Sequence, residues 1–174
     1  MGKGELNILF VDDEENILNA LRRELFDQPY NMFFAKNGNE ALEILKNNEI
    51  AVIITDLNMP ELNGLELLYS VKQNYPDTVR IILSAFTDIN IVFEAIRTGE
   101  THRFISKPWD LEEELIPTIN QSIELYKTFK DNQKLFQQLK SREEELNRIK
   151  KDYQIALRKI KELEKEVEEL RKNS

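Results

Sequence analysis

Residues 51–60 read Ala51-Val52-Ile53-Ile54-Thr55-Asp56-Leu57-Asn58-Met59-Pro60. A short apolar run, rich in β-branched residues, reads as a strand buried on both faces. It runs straight into a carboxylate, and Met59-Pro60 then breaks the chain. The same pattern recurs on either side. Asn7-Ile8-Leu9-Phe10-Val11 ends at Asp12-Asp13, Val79-Arg80-Ile81-Ile82-Leu83 ends at Ser84, and Arg103-Phe104-Ile105 leads to Lys107. Tyr30 to Ala35 forms a further strand. Helix-period stretches separate the strands. Residues 15–27 carry Ile17, Leu18, Leu21 and Leu25 on one face, and Asn37-Gly38-Asn39 opens a helix with Ala41, Leu42 and Leu45. Asn63-Gly64 precedes a helix with Leu65, Leu67, Leu68 and Val71, and a helix near 88–98 stops at Thr98-Gly99. Asp110 N-caps a last helix. Five strands alternating with helices predict an α/β fold, a doubly wound parallel sheet covered on both faces through right-handed crossovers.

In such a sheet a ligand binds beyond the C-terminal strand ends. The polar residues there are Asp12, Asp13, Asp56, Ser84 and Lys107. Three carboxylates in one crevice repel one another, and a hard divalent cation relieves the repulsion. Mg²⁺ suits a site with few carboxylates and retained waters. Together with Lys107 it would offset charge on transferring phosphoryl oxygens, while Ser84 donates a hydrogen bond. One carboxylate would be the nucleophile, a role Asp fills in forming aspartyl phosphates. Singly, each residue has a plainer explanation. Asp12-Asp13 would serve as a helix cap, Ser84 as a loop hydroxyl and Lys107 as a solvated turn residue.

The sequence resembles the receiver domains of two-component response regulators. The resemblance rests on Phe10-Val11-Asp12-Asp13-Glu14, Thr55-Asp56-Leu57-Asn58-Met59-Pro60, Gly64, Leu83-Ser84-Ala85 and Phe104-Ile105-Ser106-Lys107-Pro108-Trp109, in order along residues 5–126. It implies a flavodoxin-like strand order of 2-1-3-4-5 and Asp56 as phosphoacceptor. It implies Mg²⁺ held by Asp13 and Asp56 directly, by Asp12 through water, and by the backbone carbonyl of Asn58. It also implies a cis Lys107–Pro108 bond that turns the ammonium inward, and Phe104 at a rotameric switch position beside Ser84. From the residues alone, Phe104 reads equally as a core aromatic. Asn58 and Phe86 stand where the family tunes dephosphorylation. His102 reads as a strand-end surface residue.

From Leu125 onward there is no Gly and no Pro. Leu125, Leu135, Leu139, Leu146, Ile149, Tyr153, Ala156, Ile160, Leu163, Val167 and Leu170 fit one heptad register, with a at 125, 132, 139, 146, 153, 160 and 167. Thr128, Asn132 and Arg142 are polar exceptions, and Asn132 at an a position is a device that fixes register and strand number. The register predicts a coiled-coil helix of roughly 70 Å at about 1.5 Å per residue. Parallel pairing would set Glu145 against Lys150, Lys159 against Glu164 and Glu166 against Arg171. Interleaved lysine and glutamate leave no basic block of the kind a DNA-binding zipper needs. A separate stripe of Ile116, Ile119, Ile123 and Tyr126 should pack on the sheet, with a kink at Pro117.

The two halves differ in charge: residues 1–124 hold 10 Lys/Arg against 22 Asp/Glu, and residues 125–174 hold 14 against 10. The reading is therefore a receiver over 1–124 and a dimerising, signalling helix over 125–174. With no Cys and a single His, disulfides and multi-His zinc sites are excluded. Met1-Gly2-Lys3-Gly4-Glu5 has no apolar signal core, and no stretch is long enough to span a membrane, so the expected location is cytoplasmic. The expected partners are a histidine kinase or phosphotransfer protein and a second copy of the chain, with no direct contact to nucleic acid or membrane. The expected role is a non-enzymatic phosphoacceptor that assists its own Mg-dependent phosphoryl transfer and hydrolysis. The heptads are still in register at Ser174, which implies either an output module absent from this chain or a coil that is itself the output. A phosphatase using an aspartyl phosphate would need a second acid two residues after Asp56, where Asn58 stands. A pseudo-receiver serving only as an oligomerisation head would not need the acids and Lys107.

Overall fold

Alternate residues of each short apolar run are buried on opposite sides of one sheet. The structure is a computed structural model that describes residues 6–85 and 89–172; Phe86 lies outside them. The strands are β1 (Asn7–Val11), β2 (Asn31–Ala35), β3 (Val52–Thr55), β4 (Val79–Ala85) and β5 (Arg103–Lys107). All neighbours pair in parallel, in the order β2-β1-β3-β4-β5. Helices α1 (Glu15–Glu24), α2 (Gly38–Asn47), α3 (Gly64–Asn74) and α4 (Ile89–Arg97) fill the crossovers, and α5 spans Ile116–Lys172. The expected fold class and strand order are both present.

Two cores result. Ile8, Phe10, Val52, Ile54, Ile81 and Ile105 pack with Leu18 and Leu21 of α1 and Ile119, Ile123 and Tyr126 of α5. Leu9, Val11, Ile53 and Ile82 pack with Ala41 and Leu45 of α2, Leu67, Leu68 and Val71 of α3, and Ala95 of α4. Period-two strands and period-3.6 helices thus bury complementary stripes, each large side chain contributing about 1.5–3 kcal/mol. β4 and β5 each run two residues further than their apolar runs, so Ser84 and Lys107 are strand residues.

By contacts the chain divides into Met1–Lys130 and Asp131–Ser174. The first unit includes Leu125 and Phe129, which are half-buried against the α1–α5 core, and Tyr126, which is buried in it. Leu125, the first a position of the heptad register, therefore faces this core. The irregularity expected at Pro117 lies just upstream. Residues Leu111–Leu115 form a π-helical turn capped by the Asp110 side chain, and α-helix begins at Ile116. Pro117 then occupies a first-turn position, where a missing N–H costs little. In the second unit residues 131–172 are helical and exposed throughout. Ion pairs Arg142–Glu145, Lys159–Glu162 and Glu168–Lys172 lie along it. Among the described residues no helix is long and apolar enough to cross a membrane.

Candidate functional site

Strand pairing brings the acids together before any side-chain contact is considered. Val11 is the register partner of Thr55, so Asp12 and Asp56 leave β1 and β3 side by side. The Asp56 N–H donates to the Val11 carbonyl at 2.9 Å, and the Asp12 N–H to the Ala35 carbonyl at 3.1 Å. Ala85 pairs with Lys107, which sets the lysine at the same edge, before a cis Lys107–Pro108 bond. Gly64 opens α3 directly against this point. Its N–H donates to the Leu57 carbonyl at 3.0 Å, and a Cβ there would fall 2.0 Å from the Asp56 carbonyl oxygen. Asn63 and Glu66 form a capping box at this turn.

Lys107 Nζ lies 2.6 Å from Asp12 Oδ2 and 3.0 Å from Asp56 Oδ1, bridging the two carboxylates. Asp56 Oδ2 accepts the Asn58 N–H at 2.6 Å, and Asp12 Oδ1 accepts the Glu14 N–H at 2.9 Å. Asp12 and Asp56 are only 3% and 6% exposed. Burial raises the Asp12 carboxyl above its ordinary value, against the opposing hydrogen bonds from Lys107 and Glu14. Burial acts to lower the Lys107 ammonium, but the hydrogen bonds to Asp12 and Asp56 outweigh it and raise it. Lys107 is therefore charged, yet one ammonium leaves the Asp12 carboxylate undercompensated. Ser84 Oγ is buried and has no hydrogen-bond partner among the described residues. An unsatisfied buried hydroxyl costs about 1–3 kcal/mol, which suits a group reserved for a ligand.

Other expected site residues lie at the rim. Asp13 is exposed, and so is the Asn58 side chain. The N-cap position of α1 falls on Glu14, so neither Asp12 nor Asp13 caps that helix. Phe104 is half-buried and packs against the α2–α3–α4 core. Sequence reasoning missed Glu14 as a neighbour of Lys107, at 3.9 Å. The signal was the turn in which an Asp side chain takes the N–H two residues on. Among the described residues no three His, Asp or Glu side chains are arranged to hold a metal ion as they stand. The donor chemistry nonetheless fits Mg²⁺: two buried carboxylates, a third at the rim, and oxygen ligands only.

Residues 8–120 match the family described as the response regulator receiver domain. The chain belongs to this family. A signal receiver domain from Pseudomonas fluorescens is 36% identical with a TM-score of 0.67, covering 71% of this chain and 98% of that one. The hydrogenase transcriptional regulatory protein HoxA of Cupriavidus necator is 33% identical over 71% of this chain and 25% of its own length. The response regulator protein TrrA of Thermotoga maritima, solved in complex with Mg(2+)-BeF, is 27% identical with a TM-score of 0.60, covering 67% of this chain and 98% of that one. The chain spans about a quarter of the length of the curated relatives it matches. As a receiver domain it takes the general role of a two-component response regulator, a family that typically binds Mg²⁺.

Proposed function

We propose that the receiver accepts a phosphoryl group on Asp56 from a histidine kinase or phosphotransfer protein. The observation that carries the reading is the Lys107 ammonium bridging Asp12 and Asp56, with the buried Ser84 hydroxyl unpaired among the described residues. A carboxylate oxygen of Asp56 attacks phosphorus, the P–N bond of a phosphohistidine breaks, and the departing imidazole takes up a proton. Asp12, Asp13, Asp56 and the Asn58 carbonyl would hold Mg²⁺, which when bound supplies positive charge to the phosphoryl oxygens. Lys107 moves from Asp12 toward the new phosphoryl oxygens, and Ser84 Oγ donates to one of them. Asn58 leaves no second acid beside Asp56, which favours a phosphoacceptor over a multiple-turnover phosphatase. The change passes to Phe104. Residues 131–170 dimerise as a parallel coiled coil and carry the signal toward an output.

Intact-mass spectrometry with a small phosphodonor and Mg²⁺ tests this. One phosphoryl group should add to the wild type and none to Asp56→Asn. Label persisting on that variant would defeat the assignment.

A further inference from the structure

The strand starts lie at the opposite end of the sheet from Asp12 and Asp56. There the loops after α2 and α3 meet residues 126–130 of α5. Tyr126 is buried, and its hydroxyl donates to Glu49 Oε1 at 2.6 Å. Lys130 reaches the same oxygen at 2.7 Å and Asp77 Oδ2 at 3.7 Å. Its Nζ also lies 5.6 Å from the centre of the Tyr126 ring. The Glu49 carbonyl accepts from Asn7 Nδ2 at 2.9 Å, so the carboxylate stands on a loop tied to β1. On the next turn the Phe129 ring lies 5.9 Å from that of His102. One carboxylate thus takes a phenol and an ammonium from the same helix face. Charge-assisted bonds of this kind are stronger than an isolated exposed pair. Hydrogen bonds from Lys130 and then Tyr126 hold the Glu49 carboxyl below its usual range.

Both loops are the far ends of elements that touch the acidic site. β3 begins at Val52, just after Glu49, and ends at Thr55 beside Asp56. α3 begins at Gly64, against the Asp56 carbonyl, and ends at Asn74, just before Asp77. β3 and α3 thus connect the Asp56 end of the sheet to the loops that hold Tyr126 and Lys130.

We propose that Glu49, Asp77, Tyr126 and Lys130 form a lock that fixes residues 126–130 of α5 to the α2–β3 and α3–β4 loops, and through which the state of the Asp56 site reaches the long helix. The lock itself is a property of the unphosphorylated chain; its coupling to Asp56 rests on the proposed function.

Amide hydrogen exchange on the full chain tests both. In Glu49→Gln, amides 124–132 should exchange about fivefold faster while those of β1, β3 and β4 keep their rates. Lys130→Arg, which keeps a positive charge facing Glu49 and Asp77, should keep most of the protection. Unchanged exchange at 124–132, or acceleration spread evenly over the whole receiver, would overturn the lock. With Mg²⁺ and a small phosphodonor, exchange at 124–132 should change in the wild type and much less in Glu49→Gln. Equal changes in two chains that intact mass shows to be equally phosphorylated would overturn the coupling. If intact mass shows no phosphoryl group on the wild type, the proposed function fails and the coupling with it, while the lock stands or falls on the first comparison.

Discussion

Residues 6–130 and residues 131–172 are both rich in leucine and isoleucine, yet they place them oppositely. In the first stretch Leu9, Ile53, Ile54, Leu67, Leu68 and Ile82 are shut away from water. In the second Leu135, Leu139, Leu146, Ile149, Ile160, Leu163 and Leu170 all stand in solvent. One helix crosses from one regime to the other. Up to Lys130 it is held by Ile119, Ile123 and Tyr126, which the sheet covers. Beyond Lys130 it has good helix formers and ion pairs three or four residues apart, each worth about 0.2–0.5 kcal/mol. Those account for a helix but not for a regular apolar stripe left in water. The difference teaches that burial within the fold decides where the receiver stops, whereas heptad spacing describes an apolar stripe that the fold of one chain leaves exposed.

The largest expected effect comes from cutting at the junction. Removing residues 131–174 should turn a dimer wholly into a monomer in sedimentation equilibrium, with cooperative melting of the receiver retained. A shortened chain that still dimerises would move self-association into the receiver and break the contrast.

Point changes sharpen it. Leu68→Ala should cost about 2–5 kcal/mol in urea unfolding of the receiver. Leu146→Ala should leave that transition within about 0.5 kcal/mol while weakening the dimer. Equal losses in the receiver transition would show that the two regions unfold as one.

A smaller effect concerns pH. Burial first, and then the positive charge of Arg80, push His102 down to about 4. Below its ordinary value near 6.5 an unfolded chain takes up a proton on His102, while the folded chain resists until about 4. The unfolded state gains across that window, so receiver stability should fall on acidification by on the order of 2 kcal/mol from this group. His102→Asn should flatten the slope between about pH 6.5 and pH 4.5 relative to wild type, as followed by urea titrations. Parallel slopes would remove His102 from the acid sensitivity.

The sheet and most of the acidic site were legible because strands buried on both faces advertise themselves, and polar residues directly after them have one place to go. Strand ends were less so. Ser84, Ser106 and Lys107 look like loop residues until pairing with the next strand makes them strand residues. His102 was read as a surface residue, yet its Nδ1 accepts the Arg80 N–H at 3.1 Å across strands. Arg80 itself lies in an apolar run and is buried, with its guanidinium given to the carbonyls of Thr78, Gly99 and Glu100. Nothing local announces the contacts of Arg80 with Gly99, Glu100 and His102, some twenty positions away. Tyr126 was legible as part of a helical stripe, but Glu49 as its partner was not, because a polar contact between distant segments leaves no periodic trace.

The close approach of Gly64 to the Asp56 carbonyl limits how this sequence can drift. Every other amino acid carries the carbon that would sit 2.0 Å from that oxygen. Retreat is blocked as well, because the Gly64 N–H is tied to Leu57. Tyr69 on α3 stands largely in solvent, and Asn63 can give way to other capping residues. Position 64 has no neutral neighbours in sequence space, so variation across this helix must be organised around a single unchanging point.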